Sequence, residues 1–197
     1  MRTAITISVL ASIVCSGSPA MALEFALRGN AATISGSVKL GDNAKFEEFM
    51  AQPAASGVRI FCLNSNGGSI GVALDIARVI RRRGAATVVD GRSGCESACT
   101  VIFAGGTSRH YINTGSLQDR LGGARGGLGY HEGNNANSDG RGVQYSGRGS
   151  QAMNNAYYEL GSSGAGQFMV KAGFRQMYRI SGPTALSSGL ATSLSPP

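Results

Sequence analysis

Apolar runs and glycine-rich turns alternate through the middle of the chain. Residues 58–63 are almost continuously apolar, which is typical of a strand covered on both faces, and residues 87–89 have the same character. Between them, residues 70–83 carry apolar side chains at helical spacing on two faces, which predicts a helix packed between layers. A buried helix is predicted at residues 98–104, ended by Gly105-Gly106. This order predicts an α/β fold with parallel strands and crossover helices.

The flanking segments are interpreted as scaffold. Residues 24–27 and 32–38 have strand character on either side of a turn, as in a hairpin. Asp42 is placed to cap a helix with one apolar stripe. The composition of residues 132–150 shifts to Asn, Gly, Ser and Arg, which predicts a surface loop within a Gly/Asn-rich stretch around residues 113–150.

The first 22 residues have the pattern of a signal peptide. Arg2 precedes an apolar run at residues 5–14, and Ala20-Met21-Ala22 has the small-x-small pattern of a cleavage site. We therefore expect one mature domain, residues 23–197, beginning at Leu23 and exported to the periplasm or secreted. No membrane anchor is expected, because no later segment approaches about 18 uninterrupted apolar residues.

The composition is basic, with 18 Lys and Arg against 11 Asp and Glu and a net charge of +7. The triplet Arg81-Arg82-Arg83 invites a nucleic-acid interpretation, but cations in the last turn of a helix complement its dipole, and Gly84 can end that helix. The other charges are scattered, and no aromatic residues alternate with them as stacking platforms. We therefore expect no nucleic-acid partner.

Removing Cys15 with the signal peptide leaves Cys62, Cys95 and Cys99, an odd number. Cys95 and Cys99 flank a turn-to-helix junction and are close enough for a disulfide, whereas Cys62 lies in an apolar strand and is interpreted as a buried thiol. A thiol-based role for the first pair is a further hypothesis, although the spacing is not Cys-x-x-Cys. The spacing is not that of a zinc site either, and we expect neither a metal nor a cofactor.

Ser97 lies where the second strand and its turn give way to the buried helix. A serine at such a junction has its hydroxyl outside the turn and the first unpaired N–H groups of a helix beside it, as a nucleophile with an oxyanion site requires. Serine is also a favoured helix N-cap, which is the alternative interpretation. The glycine pair Gly67-Gly68 follows the other strand, so Gly68 and Ser97 are expected at one edge of the sheet.

Two stretches carry a family resemblance. They are Leu63-Asn64-Ser65-Asn66-Gly67-Gly68-Ser69-Ile70 and Cys95-Glu96-Ser97-Ala98-Cys99-Thr100 with the helix that follows. They resemble the proteolytic subunit of Clp protease within the Clp/crotonase superfamily, and more narrowly ClpP-like exported bacterial proteins of unassigned activity. The resemblance covers about residues 31–112 and, more loosely, the C-terminal tail, and it implies a ClpP/crotonase-like fold of repeated ββα units. The sequence departs from the peptidase pattern at Asn66, Glu96 and Ala98, where the peptidases have Pro, a small residue and Met.

Carried over by position, the resemblance implies that Ser97 is the nucleophile and that the N–H groups of Gly68 and Ala98 form the oxyanion hole. It implies that His131 is the general base, after a glycine-rich insertion that the peptidases lack. His110 is the competing histidine, but it lies at the start of its strand region rather than at a strand's end.

The triad Asp of the peptidases has no counterpart here. Gln176 stands at that position, and no Asp or Glu follows Glu159. Gln176 would orient a neutral imidazole without stabilising its protonated form, and Asp139 or Glu132 would substitute only if their loop folds back.

Two functional hypotheses follow. The first is an exported serine hydrolase, peptidase-like, that uses a Ser-His pair on a peptide or another acyl substrate. The second is a non-catalytic binding or assembly module of the same fold, which the missing Asp favours. The resemblance also implies a homo-oligomer.

Overall fold

The computed structural model describes residues 22–136 and 142–197. The predicted signal peptide, apart from Ala22, and Asp139 lie outside the described residues. The strands are β1 Glu24–Arg28, β2 Ala31–Val38, β3 Ile60–Gly68, β4 Ala86–Asp90, β5 Gly94–Glu96, β6 Ser108–Ile112, β7 Arg120–Leu121, β8 Gly127–Tyr130, β9 Asn134–Ala136, β10 Val143–Tyr145 and β11 Tyr178–Ile180. The helices are α1 Asp42–Ala51, α2 Ile70–Arg82, α3 Ala98–Ala104, α4 Gly147–Glu159, α5 Ala165–Ala172 and α6 Gly182–Ser187, with a 3₁₀ turn at Pro53–Ala55.

The sheet is mainly parallel, as the alternation of strands and helices predicts. Strands β2, β3, β5 and β8 are parallel neighbours, and β4 and β6 branch from β3 in the same direction. Strand β1 pairs antiparallel with β2, and β11 pairs antiparallel with β8 and β7. The sheet divides at β3, because residues 60–62 pair with β4 whereas Ser65 pairs with Cys95 of β5. The predicted hairpin, the parallel strands and the helices after β3 and β5 are confirmed.

The core lies between this sheet and the helices packed on it. Every residue of α3 is buried, and so are five residues of α2: Val72, Ala73, Ile76, Ala77 and Ile80. Gly105 ends α3, and a Cβ there would lie 2.7 Å from backbone atoms of Ala77, so the glycine permits the two helices to approach closely. The predicted helix between layers is therefore α2.

The arginine triplet at the end of α2 has a structural role. Arg81 Nη2 donates to the carbonyl oxygens of Ala104 at 2.9 Å and Leu160 at 2.8 Å, at the ends of α3 and α4. Arg83 Nη2 donates to Ala55 O at 3.2 Å beside the 3₁₀ turn. These two side chains thus bind carbonyl oxygens at the C-terminal ends of neighbouring helical segments, where the helix dipole favours a cation.

Four local predictions need correction. Strand β3 continues through Gly68 because its end pairs with β2, and residues 94–96 form β5 because they pair with β3 and β8. Asp42 is the first residue of α1, whose N-cap is Gly41. The stretch around residues 113–150 is not a loop throughout, since its described part contains β7 to β10 and the first turn of α4, capped by the Ser146 side chain. Local composition did not indicate β7, whose partner β11 is distant in sequence, nor β9 and β10, which pair with each other within the Gly/Asn-rich stretch.

Candidate active site

Ser97 occupies a strained turn between β5 and α3. Its backbone has φ 55° and ψ −128°, a region that costs a non-glycine residue free energy and that is found where a side chain must be presented at a sharp strand-to-helix turn. The Ser97 N–H donates to Gly129 O at 2.9 Å, and the Ser97 carbonyl accepts from Thr100 N at 2.9 Å. Ser97 stands at the N-cap position of α3, but its side chain makes no capping hydrogen bond. The hydroxyl is thus not used as a cap.

Gly67 makes room for this turn. Its φ is 85°, and a Cβ there would lie 2.6 Å from Glu96 O, 2.7 Å from Ser97 Cβ and 2.8 Å from Ala98 N. No ordinary side chain fits in that space. The close packing of Gly67 against the serine turn was not anticipated from the sequence, which pointed to Gly68 for its N–H group.

The two predicted oxyanion donors adjoin this contact: Gly68 follows Gly67, and Ala98 follows Ser97. Ala98 is the first residue of α3, so its N–H belongs to the group without an intrahelical acceptor. Gly68 lies between Gly67, whose N–H donates to Ser65 Oγ at 3.1 Å, and Ser69, whose N–H donates to Val38 O at 2.9 Å. Gly68 is exposed and lines a cavity of about 500 Å³.

His131 lines the same cavity as Ser97 and Gly68. The reason is the sheet topology: β5 and β8 are parallel neighbours with Glu96 opposite Gly129. Ser97 directly follows β5, and His131 directly follows β8, so both residues leave the sheet at the same edge. This juxtaposition brings Ser97, His131 and Gly68 to one cavity.

The environment of His131 favours a neutral ring. Burial lowers its pKa below the usual value, partly opposed by the hydrogen bond to Glu132 O and by the charge of Glu96. His131 Nδ1 lies 2.5 Å from the Glu132 carbonyl oxygen, which only accepts, so Nδ1 carries the proton and the lone pair is on Nε2. Asn134 Nδ2 is 3.4 Å from Nδ1, but it donates to Phe174 O at 2.7 Å, a better bond.

The other candidate residues from the sequence make different contacts. Gln176 is exposed, and its side chain lies beside Gly122: a Cβ built on that glycine would be 3.5 Å from Gln176 Oε1. Glu132 holds His131 by its backbone carbonyl rather than by its carboxylate. His110 lies on β6, where its Nδ1 is 2.7 Å from Ser195 O and its Nε2 is 3.2 Å from Ser108 Oγ.

A disulfide joins Cys95 and Cys99, with a Cα–Cα distance of 5.2 Å. The bridge spans the serine turn, from β5 before Ser97 to the first turn of α3 after it, and both cysteines are fully buried. Cys62 is buried in β3 beside Val88 and Ile112. The bridge therefore braces the segment that presents Ser97.

A buried ion pair beside Ser97 was not predicted. Arg179 Nη2 donates to Glu96 Oε1 at 2.6 Å, and the two side chains are 8% and 10% exposed. Glu96 and Arg179 both pair with Gly129, so the bond crosses β8 at a residue without a side chain. A Cβ on Gly129 would lie 3.1 Å from Glu96 Cγ. Where the peptidase pattern has a small residue, this chain has Glu96, and Arg179 on β11 supplies the cation that pairs with it.

In residues 22–136 and 142–197, no set of three or more His, Cys, Asp or Glu side chains is grouped as a metal site would be. None of the helices in the same ranges has the length and apolar character of a membrane span.

Comparison with known proteins identifies the fold. No family model matches the sequence, and no curated protein matches it. Among solved structures, a membrane-bound stomatin-specific protease mutant matches with a TM-score of 0.60 at 13% identity, covering 84% of this chain and 77% of that one. A second mutant of that protease, in complex with a substrate peptide, matches with a TM-score of 0.59 at 13% identity, covering 84% and 73%. A ClpP1 mutant from Listeria monocytogenes matches with a TM-score of 0.56 at 14% identity, covering 86% and 92%. At these identities the likeness shows the fold alone.

Proposed function

We propose that this chain, which has a ClpP/crotonase-like fold shared with solved proteases, is an exported serine hydrolase of peptidase type. In this proposal Ser97 is the nucleophile, His131 the general base, and Gly68 and Ala98 the oxyanion donors. The observation that carries the proposal is the strained backbone of Ser97, at a junction that shares its cavity with His131.

The proposed reaction uses the tautomer described above. His131 Nε2 accepts the proton of Ser97 Oγ while the oxygen attacks the acyl carbonyl carbon. The N–H groups of Gly68 and Ala98 donate to the resulting oxyanion. The bond to the leaving group then breaks as the imidazolium returns the proton to it, and a water molecule, deprotonated by His131, hydrolyses the acyl-serine and restores both residues.

A peptide is the proposed substrate class. One supporting fact is that a protease of the same fold has been solved in complex with a substrate peptide. Another is that the cavity is lined by groups able to bond a peptide backbone, among them Ser37, Asn66 and Asn134. Assembly into a homo-oligomer is also part of the proposal, and sedimentation of the purified protein tests it.

The non-catalytic alternative rests on one observation. The partner of His131 Nδ1 is a backbone carbonyl, which orients the ring but has no full charge to stabilise an imidazolium. Loss of the triad carboxylate costs about 10⁴-fold in turnover in the best-studied case. A binding module of the same fold would tolerate this arrangement, whereas a hydrolase would be slow.

Labelling with a fluorophosphonate probe distinguishes the two. We expect the mature protein to be labelled, Ser97→Ala not to be labelled, and His131→Ala to be labelled at least about 10²-fold more slowly. His110→Ala is the matched control and should label like the wild type. A folded wild type that does not label supports the binding module, and labelling that survives in Ser97→Ala means that another serine reacts.

A further inference from the structure

The backbone nitrogen of Leu23 lies against a buried carboxylate. Leu23 N donates to Asp42 Oδ2 at 3.3 Å, and the two residues are 4% and 0% exposed. The same oxygen accepts from Lys39 N at 2.8 Å. Asp42 Oδ1 is bonded to Lys45 Nζ at 3.0 Å, but that lysine side chain is 56% exposed. Asp42 is thus a fully buried carboxylate whose cation partner is more than half exposed, and a buried charge is stabilised by further hydrogen-bonded partners.

The atom that faces this carboxylate is the one that cleavage after Ala22 would convert into an amine. The sequence Ala20-Met21-Ala22 has the pattern of a cleavage site at that bond. Hydrolysis of the Ala22–Leu23 peptide bond consumes one water and leaves a carboxylate on Ala22 and, at neutral pH, an α-ammonium on Leu23. The new cation would stand at the position from which the amide N–H now bonds Asp42.

We propose that Asp42 is the binding site of the processed N-terminus, and that the Leu23 α-ammonium forms a buried ion pair with it. The inference rests on the export part of the proposed function and not on the chemistry of Ser97. Asp42 thereby becomes a sensor of processing: a chain that retains Ala22 places an uncharged amide there, and the mature chain places a full charge there. A charge-assisted bond is roughly twice as strong as a neutral one.

The pair would also support one wall of the cavity. Asp42 holds the N–H of Lys39, directly after β2. Val38, at the end of β2, accepts from Ser69 N at 2.9 Å and pairs with Gly68, and Val38 and Lys39 both line the cavity. Processing would therefore order the segment that packs against the glycine turn.

The experiment compares two chains that differ by one residue. Fusions cut by a protease that leaves the chosen first residue supply chains beginning at Leu23 and at Ala22, each with Asp42 and with Asp42→Asn. The Ala22 chain is a conservative control, because it retains the backbone bridge between Ala22 and Ser37. We expect the Leu23 chain to melt about 5 °C higher at pH 7, and the two Asp42→Asn chains to melt within about 1 °C of each other.

Equal melting temperatures for the two Asp42 chains would overturn the proposal, and so would a difference that persists in Asp42→Asn. If Asp42→Asn does not fold, Lys45→Met replaces it. Asp42 then loses the side-chain cation that is bonded to it, so the Leu23 α-ammonium should matter more and the difference in melting temperature between the Leu23 and Ala22 chains should widen. An unchanged or smaller difference in Lys45→Met contradicts the pair. The full chain, exported and purified, should have the intact mass of residues 23–197, and another first residue would also contradict it. None of these readouts depends on whether Ser97 is reactive.

Discussion

At the scale of single residues, Gly67 controls the position of the nucleophile candidate. Its missing Cβ leaves the space occupied by the Glu96 carbonyl, Ser97 Cβ and Ala98 N, all within 2.8 Å of where that atom would be. The serine turn is therefore shaped by a residue from another strand. Any side chain at position 67 must push the turn away from β3.

We expect Gly67→Ala to lower the free energy of unfolding by about 2–4 kcal/mol, from backbone strain at φ 85° and from overpacking. Fluorophosphonate labelling of Ser97 should be lost as well. Gly29→Ala is the matched control, because Gly29 also has positive φ, 61°, but nothing lies within 4 Å of its Cβ position. Urea denaturation measures both variants, and similar losses in the two would contradict the steric argument.

His131 makes a prediction about pH. Burial depresses the pKa of its imidazole, so the neutral form that accepts the serine proton is present down to a lower pH than for an exposed histidine. The acid limb of the probe-labelling rate should therefore have its midpoint below about 6.5, the ordinary histidine value. An acid limb with its midpoint above about 6.5 would show that another group controls the rate or that His131 is not desolvated.

At the scale of elements, the Glu96–Arg179 pair joins β5 to β11 across Gly129. Both charges are buried, and each is costly without the other. The pair lies directly before Ser97, so it also holds the end of the strand that presents the serine. A small residue at position 96, as in the peptidases that the sequence resembles, would need no such cation.

Removing one partner should therefore cost more than removing both. We expect Arg179→Met or Glu96→Gln alone to lose about 3–5 kcal/mol of unfolding free energy, and the double variant to lose less than either. Urea denaturation of the four proteins completes a double-mutant cycle. Losses that simply add would mean that the two side chains stabilise the fold independently.

At the scale of the whole molecule, Asp90 connects the end of β4 to the chain beyond β6. Its carboxylate accepts from Arg92 N at 2.9 Å, from Arg92 Nη2 at 2.6 Å and from Asn113 Nδ2 at 2.8 Å. Burial alone would raise the pKa of Asp90, but the bonds from Arg92 and Asn113 outweigh it and lower the pKa. The turn before β5 thus depends on an ionised carboxylate.

The sign of the pH effect follows from the lowered pKa. The stabilisation is fully present above the pKa of the unfolded chain, about 3.9, and is lost as the pH falls through the lower folded value. We expect Asp90→Asn to destabilise the protein at pH 7 and to flatten the loss of stability below about pH 4, measured by urea denaturation over pH 2.5–7. Glu47→Gln, on an exposed part of α1, should change neither. If Asp90→Asn keeps the full acid dependence of the unfolding free energy, Asp90 does not contribute to that dependence.

The sequence by itself determined the order of the elements and the position of the serine turn. Apolar periodicity, glycine stops and the run of strand, turn and helix are local properties of the chain, and the confirmed fold follows from them. They indicated Ser97, the glycine pair and the Cys95–Cys99 bridge. They failed for short strands such as β5 and β9, because such strands exist only through their partners.

The tertiary structure decided which groups meet. The parallel pairing of β5 with β8 brings His131 to the cavity of Ser97, as the family resemblance implied but no local pattern did. It assigns His131 Nδ1 to a backbone carbonyl, and it matches Glu96 with a cation on a distant strand. These contacts join segments far apart in the chain, and no local pattern specifies a partner across a sheet. The chemistry of the residues was visible in the sequence, and their juxtaposition arose from the sheet.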